Sequence, residues 1–350
     1  MLHPPYANNP SGKNQTAVRM KSIEKLRGAI VGFGSIGHRH YQNLAVLGAP
    51  PPVVVRRSEQ RNPAFVPPAE SQAVTSDAEA IAAGIDFAVI CNPTRFHVDT
   101  ASRYIAAGIP VLVEKPISDR CEDAIQLAED GIRFGTPGCM AYCMRYHPAY
   151  SSARQALLAG AIGRVLYAKA WFESYLPLWH PWEDYAQSYA VRKDLGGGAL
   201  RTLDHEIDFL NWCLGIPETV TGCSRHSGAL HGDADDTAAL LLGYPSGVTA
   251  TLNLSFCRRD RSRGFEFVGE RGTLRYRWEE ERLLAVAADG SVSVLLDHRG
   301  YDVNQMYVDL LFDFLGIVAG AHSNVAADLQ AGIDAIQVCC RVESNASATA

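Results

Sequence analysis

The stretch AIVGFGSIGHRH, residues 29–40, decides the fold of the first part of this chain. Its three glycines have the spacing G-x-G-x-x-G, at Gly32, Gly34 and Gly37. In a strand–turn–helix unit the first glycine permits a tight turn, the second lets the backbone approach a pyrophosphate, and the third lets helix and strand pack closely. The helix that starts at Ser35 and Ile36 offers free N–H groups to phosphate. The stretch therefore predicts a dinucleotide-binding loop, and a structural turn in another doubly wound fold is the alternative.

Strand and helix signals alternate up to about residue 146 and then change character. The alternation predicts a parallel sheet with helices on both faces, so we expect a Rossmann dinucleotide-binding domain over residues 25–146. Later segments are typical of strands joined by the turns YPSGV, GERGT and AADGS. We expect residues 147–350 to form an α+β domain with a mostly antiparallel open sheet, which binds substrate and mediates oligomerisation. Residues 1–24 are polar and are expected to form a flexible arm.

The composition limits the classes of function. The 350 residues are 47% hydrophobic and 20% charged, with a formal net charge of -6. These values are typical of a soluble globular protein and argue against nucleic acid as a partner. No apolar run reaches the length of a membrane span, and the first residues lack the apolar core of a secretory signal. The nine cysteines include no C-x-x-C, which favours reduced thiols in a cytoplasmic protein over a disulfide framework.

The residues after the second predicted strand bear on the choice of nucleotide. An acidic side chain there binds the ribose 2′-hydroxyl of NAD, whereas an arginine accommodates the 2′-phosphate of NADP. The sequence VVVRRSEQR has no aspartate and places Arg56, Arg57 and Ser58 at this point. These groups favour NADP(H), with NAD(H) as the alternative.

A second signal is VLVEKPIS, which places Glu114, Lys115 and Pro116 at the carboxyl end of a predicted parallel strand. Ligands of such sheets bind outside the carboxyl ends of the strands. A partly desolvated lysine beside a nicotinamide can have its pKa lowered enough for proton transfer. Taken alone, the tripeptide is more typical of a surface ion pair and a turn.

Combined with GFGSIG, CNPTRFH and MRYHPAY, this segment resembles the Gfo/Idh/MocA oxidoreductase family over roughly residues 26–345. The resemblance implies a nicotinamide cofactor in the first domain and a sugar, cyclitol or related polyol between the two domains. It also implies that Lys115 is the catalytic lysine. The residues that would line the cofactor or its substrate side are Asn92, Pro93, His97, Glu114, Arg145 and His147.

Family members carry an Asp and a His one turn apart on the helix that follows a glycine cluster, here Gly196 to Gly198. The segment HEID matches the histidine part of this pattern. The resemblance therefore implies that His205 is the catalytic histidine, which passes a proton to or from the reacting hydroxyl.

The usual aspartate of that pattern is missing, because Arg201 stands four residues before the histidine. Asp204 is one candidate for the carboxylate, Thr202 could replace it by a hydroxyl, and Asp208 could orient the imidazole. We expect one continuous helix in which Arg201, Asp204, His205 and Asp208 project opposite an apolar stripe. A solvated, salt-bridged helix face is the alternative.

Two further segments carry candidate ligands. Residues 173–189 are rich in aromatic side chains, which suit the stacking of a sugar ring, and the substrate candidates are Tyr175, Trp179 and His180, with a packed loop as the alternative. The run CRRDRSRG could bind a carboxylate or phosphate, but charges of an exposed edge strand are the favoured interpretation. His226, His231 and Asp233 could be drawn as a metal site, but hydride transfer requires none and we expect no metal.

The sequence therefore predicts an NAD(P)-dependent oxidoreductase that acts on a hydroxyl or keto carbon of a sugar, sugar acid or nucleotide sugar. Lys115 and His205 would move the proton and Asp204 would supply the carboxylate, while Thr202 would contact substrate. We expect a cytoplasmic homodimer or homotetramer. Two alternatives stay open, a redox-neutral dehydratase or epimerase that retains its cofactor, and a non-catalytic NADP-binding regulator.

Overall fold

The computed structural model describes residues 23–56, 65–321 and 326–348. The expected N-terminal arm falls almost wholly outside the described residues, and so do Arg57 and Ser58. The described chain forms two β-sheets, one of six strands and one of eight. Strands and α-helices are numbered below in chain order.

The six-stranded sheet is parallel throughout, with the order β3-β2-β1-β4-β5-β6. Its strands are β1 Gly28–Val31, β2 Val53–Val55, β3 Ala73–Val74, β4 Phe87–Ile90, β5 Val111–Val113 and β6 Gly138–Met140. The central strands are buried on both faces, which explains their continuous apolar runs. This is the Rossmann topology that the sequence predicts, and the strand order reverses between β1 and β4.

Within the described residues, four α-helices lie between these strands: α1 Ser35–Val46, α2 Asp77–Ala82, α3 His97–Ala106 and α4 Cys121–Phe134. The 3₁₀ turns Thr94–Phe96 and Cys143–Tyr146 follow β4 and β6. Because all six strands are parallel, their carboxyl ends meet at one edge of the sheet. The loops after β1, β4, β5 and β6 therefore lie together at that edge.

The eight-stranded sheet has the order β14-β13-β12-β11-β7-β10-β9-β8 and is antiparallel except between β7 and β10. Its strands are β7 Val165–Tyr175, β8 Thr219–Arg225, β9 Thr237–Gly243, β10 Thr249–Ser255, β11 Cys257–Gly269, β12 Gly272–Arg277, β13 Arg282–Ala287 and β14 Val292–Asp297. The turns YPSGV, GERGT and AADGS each join a hairpin. The predicted open, mostly antiparallel sheet is thus confirmed.

The arginine-rich run CRRDRSRG lies in β11, between β12 and β7. The expectation that this run forms an exposed edge strand is therefore wrong. Strand order depends on long-range pairing, which the local charge pattern does not report. Arg263 pairs in register with Phe172 of β7, and its side chain is buried.

Helices cover one face of this sheet, and no element in the described part of the chain covers the other, which is called the bare face below. Leu240 and Leu242 of β9 are buried on the covered face, whereas Leu241 between them is 49% exposed on the opposite face. The helices that contact this sheet on its covered side include α5 Pro148–Leu158, α6 Ala199–Thr202 and α7 His205–Leu214. The alternation explains why these strands read as apolar and polar in turn.

The expected continuous helix after the glycine cluster is interrupted at Leu203 and Asp204, where α6 ends and α7 begins. The carbonyl of Thr202 accepts a hydrogen bond from the Lys115 side chain. The break also changes the burial, since α7 is buried from His205 to Asn211 rather than along one stripe. The alternative of a solvated helix face is therefore wrong.

Two last helices, α8 Gln305–Val318 and α9 Leu329–Ala348, return to the Rossmann part, where α8 contacts α1 and α9 contacts α4. A disulfide joins Cys121 of α4 to Cys340 of α9. The expectation of reduced thiols is wrong for this pair, because residues 219 apart in sequence meet only in the fold. The other seven cysteines are free thiols. None of the helices in the described ranges combines the length and apolarity needed to cross a bilayer.

Candidate active site

The glycine loop between β1 and α1 has the geometry of a pyrophosphate cradle. Gly32 has φ +91°, and a Cβ there would lie 2.7 Å from the backbone nitrogen of Asn92. A Cβ at Gly37 would lie 2.1 Å from the carbonyl oxygen of Gly32, whereas one at Gly34 would meet no described residue within 4 Å beyond its chain neighbours. Gly34 caps α1 without a side-chain hydrogen bond, so the first N–H groups of the helix, before that of His38, are left for a ligand. These residues fit a dinucleotide phosphate.

The loop after β4 carries the predicted nicotinamide-side residues Asn92, Pro93 and His97. Asn92 donates from Nδ2 to the Thr100 hydroxyl at 2.9 Å, and within the described residues its buried Oδ1 has no hydrogen-bond partner. That oxygen is an acceptor left for a ligand. His97 is buried, with its ring nitrogens 2.7 Å from the Asn92 carbonyl and 2.8 Å from the Pro116 carbonyl. His97 therefore joins the loops after β4 and β5 rather than facing the cleft.

Glu114, at the end of β5, is paired within the protein. Its Oε1 lies 2.7 Å from Nε2 of His40 on α1, and its Oε2 accepts from the Lys115 backbone N–H at 3.3 Å. The pair links β5 to the helix of the glycine loop. Glu114 thereby fixes the position of the Lys115 backbone.

Lys115 reaches across to the second sheet's helices. Its Nζ donates to the Thr202 carbonyl at 2.6 Å. Burial alone would lower the pKa of Lys115, but the nearby Tyr189, Asp204 and Glu114 raise it above its ordinary value. The expectation of a lowered pKa is therefore wrong for this state, and Lys115 is a cation here.

Asp204 lies at the helix break beside Lys115. Burial raises the pKa of this carboxyl to about 7, although Lys115 and a hydrogen bond from Tyr142 act in the opposite direction. The Tyr142 hydroxyl donates to Oδ2 at 2.9 Å, and within the described chain Oδ1 has no hydrogen-bond partner. Asp204 thus presents one unpartnered oxygen beside Lys115, and its role as the missing carboxylate stays a prediction.

His205 begins α7 and is neutral. Burial, with the positive charges of Lys115 and Arg263, holds its pKa well below the usual range. Its Nε2 lies 3.9 Å from Sγ of Cys143, and its Nδ1 has no hydrogen-bond partner among the described residues. The hydroxyl of Thr202 is likewise buried and without a partner there. Asp204, His205 and Thr202 therefore present unsatisfied polar atoms close to Lys115.

Three side chains of the site were not predicted from the sequence. Tyr142 and Cys143 directly follow β6, and Tyr189 lies close enough to Lys115 to raise its pKa. The position of Tyr142 and Cys143 at the carboxyl end of the last parallel strand was the available signal. Tyr189 had none, because the long segment before the glycine cluster brings it there.

Arg145 is engaged in a buried ion pair instead of facing a cofactor. Its guanidinium donates to both carboxylate oxygens of Asp208, at 3.0 and 2.5 Å, and to the Ala326 carbonyl. Asp208 therefore does not orient His205. Arg201 points away as well, to Glu343 at 2.7 Å. Both arginines tie α6 and α7 to their neighbours.

The aromatic segment between β7 and α6 consists of four 3₁₀ turns, from Leu176–Leu178 to Lys193–Leu195. Trp179 is packed between Phe172 and Phe256 and donates to Ser174, and the Arg259 guanidinium lies 4.3 Å from the centre of the Tyr175 ring. The third substrate candidate, His180, lies beside Trp182, which contacts Phe65 of the Rossmann part. Only the end of the segment, at Tyr189, reaches Lys115.

A glycine cradle on a Rossmann sheet, with a lysine, a carboxyl and a histidine at its carboxyl edge, defines the class of dinucleotide-binding oxidoreductases. The model of an oxidoreductase family with an NAD-binding Rossmann fold matches residues 26–131. The model of the GFO/IDH/MocA C-terminal domain matches residues 150–275. The chain belongs to the Gfo/Idh/MocA family.

Two curated relatives are similar to this chain in sequence. Inositol 2-dehydrogenase 2 of Saccharopolyspora erythraea is 29% identical over 64% of this chain and 65% of its own length. The rhizopine catabolism protein MocA of Rhizobium meliloti is 27% identical over 49% of this chain and 52% of its own length. The matches therefore span about half to two thirds of these relatives. Levoglucosan dehydrogenase, solved with NADH, superposes with a TM-score of 0.79 at 20% identity, covering 92% of this chain and 97% of that one.

Proposed function

We propose that this protein is a nicotinamide-dependent dehydrogenase or reductase that acts on a CH–OH carbon of a carbohydrate-type substrate. The observation that carries the proposal is the convergence of Lys115, Asp204 and His205 at the carboxyl edge of the Rossmann sheet. Relatives named for inositol and for rhizopine catabolism, and a structural neighbour named for levoglucosan, support a polyhydroxylated substrate.

The protonation states of Lys115, Asp204 and His205 suggest a different role for each of them. Lys115, as a cation, donates a hydrogen bond to the substrate oxygen and gives up its proton when a ketone is reduced. Asp204, with a pKa of about 7, is the neighbouring group that exchanges this proton. Neutral His205 holds the reacting hydroxyl through a ring nitrogen. When bound, an oxidised nicotinamide supplies the hydride acceptor and a positive charge that lowers the pKa of Lys115.

The choice between the two nucleotides belongs to the same proposal. The family description and the neighbour solved with NADH support NAD(H). The sequence after β2 has Arg56 where an NAD-binding acid is usual, which favours NADP(H). We retain both and expect the ratio of the two nucleotide affinities, measured by titration, to decide.

Following nicotinamide absorbance in both directions, with each nucleotide and a panel of sugars, sugar acids and nucleotide sugars, tests the activity. Lys115→Met should lower kcat/KM by about 10²–10⁴-fold while nucleotide still binds. Lys25→Met is the matched control, because Lys25 is exposed and lies in a part of the sequence distant from the cleft residues. Turnover that survives in Lys115→Met, or bound nucleotide with no turnover in the wild type, would contradict the proposal.

We also propose that the enzyme works as a homodimer or homotetramer, paired through the bare face of the eight-stranded sheet. Exposed apolar side chains such as Tyr167 and Leu241 on that face support this. A cytoplasmic location is proposed with it, because the reaction uses a nicotinamide dinucleotide and the cysteines other than the Cys121–Cys340 pair are free thiols.

A further inference from the structure

A buried ion pair lies directly beside the candidate histidine. Arg263 of β11 donates from Nε to Oε1 of Glu206 at 2.7 Å, and the two residues are 5% and 1% exposed. Nη2 of Arg263 and Oε2 of Glu206 are buried and have no hydrogen-bond partner in the described part of the chain. Polar atoms left in this state are costly, so a bound ligand that satisfies them would gain affinity.

A second arginine of the same strand faces the same place. Arg261 and Arg263 both lie over the rings of Phe172 and Trp278, at 4.5–5.5 Å from their centres. The ion pairs that the described residues form along β11 use Arg258 and Arg263, and Arg261 takes part in none of them. One buried carboxylate, Glu206, lies beside these two cations, and the exposed Glu279 also acts on Arg261.

Phenols and imidazoles complete the surroundings of these arginines. Tyr276 is buried and Tyr301 is half-buried, and in the described ranges neither hydroxyl has a hydrogen-bond partner. Both ring nitrogens of His298 are in the same state. The His147 ring lies at the centre of this group, 5.0–5.9 Å from the other rings. Burial, with His298 and Arg263 nearby, lowers the pKa of His147 to about 3, so the positive charge belongs to the arginines.

The cluster lies next to the candidate catalytic residues. Glu206 follows His205 in α7, and the charge of Arg263 contributes to lowering the pKa of His205. The Cys143 thiol lies 3.9 Å from His205 Nε2, and the positive charges of Lys115 and Arg263 both act to lower its pKa. The reacting carbon would therefore lie between Lys115 and Arg263, and a substituent of the same substrate would reach the arginines.

We propose that Arg261 and Arg263, with the hydroxyls of Tyr276 and Tyr301, bind a carboxylate of the substrate. A carboxylate only accepts hydrogen bonds, and these side chains offer donors, two of them charged and several without a partner in the described residues. Glu206 Oε2 is the acceptor among them and takes a hydrogen bond from a sugar hydroxyl next to the carboxylate. This inference rests on the proposed function and narrows its substrate to a sugar acid.

Equilibrium titration of the protein saturated with reduced nicotinamide nucleotide tests this, because reduced nucleotide prevents oxidation of the hydroxyls. The probes are D-glucuronate, D-galacturonate and D-gluconate, each beside its neutral counterpart D-glucose, D-galactose or D-glucitol. At least one acid should bind about tenfold or more tightly than its counterpart, as expected for charge-assisted hydrogen bonds. Equal affinities within every pair, or no binding of any acid, would overturn the inference.

Variants locate the effect on this strand. Arg261→Gln, whose side chain is exposed at the rim, should reduce the preference for the acid about tenfold without the folding risk of replacing buried Arg263. Arg258→Gln is the matched control, because Arg258 is already paired with Glu173 and Asp260. An unchanged preference in Arg261→Gln would refute the assignment.

The two proposals fail in different ways. Nicotinamide absorbance is followed with the same six compounds and oxidised nucleotide. Tight binding of an acid with no turnover of any compound would contradict the proposed function and leave the carboxylate site standing. Turnover of neutral sugars alone would support the proposed function and overturn the carboxylate site.

Discussion

Asp204 gives the site its expected pH dependence. Its carboxyl is buried and has a pKa raised to about 7, so it is protonated in acid and ionised in mild alkali. As the group that takes the proton from Lys115 during oxidation, it must be ionised. We therefore expect kcat/KM for oxidation to rise with pH through about 7 and then to level off.

Tyr142→Phe tests this assignment with a small change in shape. The variant removes the hydroxyl that donates to Asp204 at 2.9 Å and stabilises its ionised form. The pKa of Asp204 should rise further, moving the acid side of the pH profile up by about one unit. The pH dependence of kcat/KM measures this shift.

Tyr146→Phe is the matched control for that experiment. Its hydroxyl donates to a different carboxylate, Asp313, at 2.7 Å. The acid side of the profile should stay where the wild type has it. A profile that is unmoved in Tyr142→Phe would show that another group controls the rate.

The turn between β1 and α1 separates folding from nucleotide binding within three residues. A Cβ at Gly37 would overlap the Gly32 carbonyl at 2.1 Å, so Gly37→Ala should destabilise the fold, with a melting temperature several degrees lower. Among the residues that the structure describes, none beyond its chain neighbours lies within 4 Å of a Cβ at Gly34, and the φ of -89° suits alanine. Gly34→Ala should therefore keep the wild-type melting temperature.

The same pair predicts opposite effects on the nucleotide. The space beside Gly34 is where the backbone would approach the pyrophosphate, so Gly34→Ala should weaken nucleotide binding about tenfold. Thermal unfolding and nucleotide titration of the two variants give the answer. A Gly34→Ala protein that binds nucleotide as tightly as the wild type would place the pyrophosphate elsewhere.

Elements whose signals are local could be predicted from the sequence. The glycine turn, the strand that ends at Lys115 and the three hairpins depend on residues that are neighbours in the chain. The position of β11 inside its sheet could not be predicted, because its pairing with β7 joins residues about a hundred positions apart. The charge of CRRDRSRG favoured an edge strand, although two of its arginines face the inner side.

The site was predicted in part for the same reason. Lys115 and His205 were proposed as site residues from motifs that lie on single elements, and the structure brings both to the same edge of the Rossmann sheet. The break between α6 and α7 was missed, because the Thr202 carbonyl is bonded by Lys115 from another part of the chain. The pairing of Arg145 with Asp208 and the approach of Tyr142 to Asp204 likewise depend on how the two sheets' helices meet.

The last two described helices connect the second part of the molecule to the Rossmann part. Helices α8 and α9 follow the second sheet but contact α1 and α4, and the Cys121–Cys340 disulfide holds one of these contacts covalently. The loops at the carboxyl edge of the Rossmann sheet therefore meet α6 and α7 in a fixed relation. This arrangement places Lys115, which follows β5, beside Asp204 and His205 at the start of α7.

The bare face of the eight-stranded sheet carries the remaining prediction. Tyr167 and Leu241 are 43% and 49% exposed there. In the strand register Tyr167 of β7 pairs with Thr249 of β10, and Leu241 of β9 pairs with Thr251 of β10. Burying such a face against a second copy removes apolar surface from water, so we expect an oligomer in solution. Leu241→Glu would place a charge in that interface and should lower the molar mass, measured by light scattering after size exclusion, to that of a smaller species. Leu158→Glu changes a leucine that is 69% exposed on α5, away from this face, and should leave the mass unaltered. A monomeric wild type, or an unchanged mass in Leu241→Glu, would show that this face is not the contact between subunits.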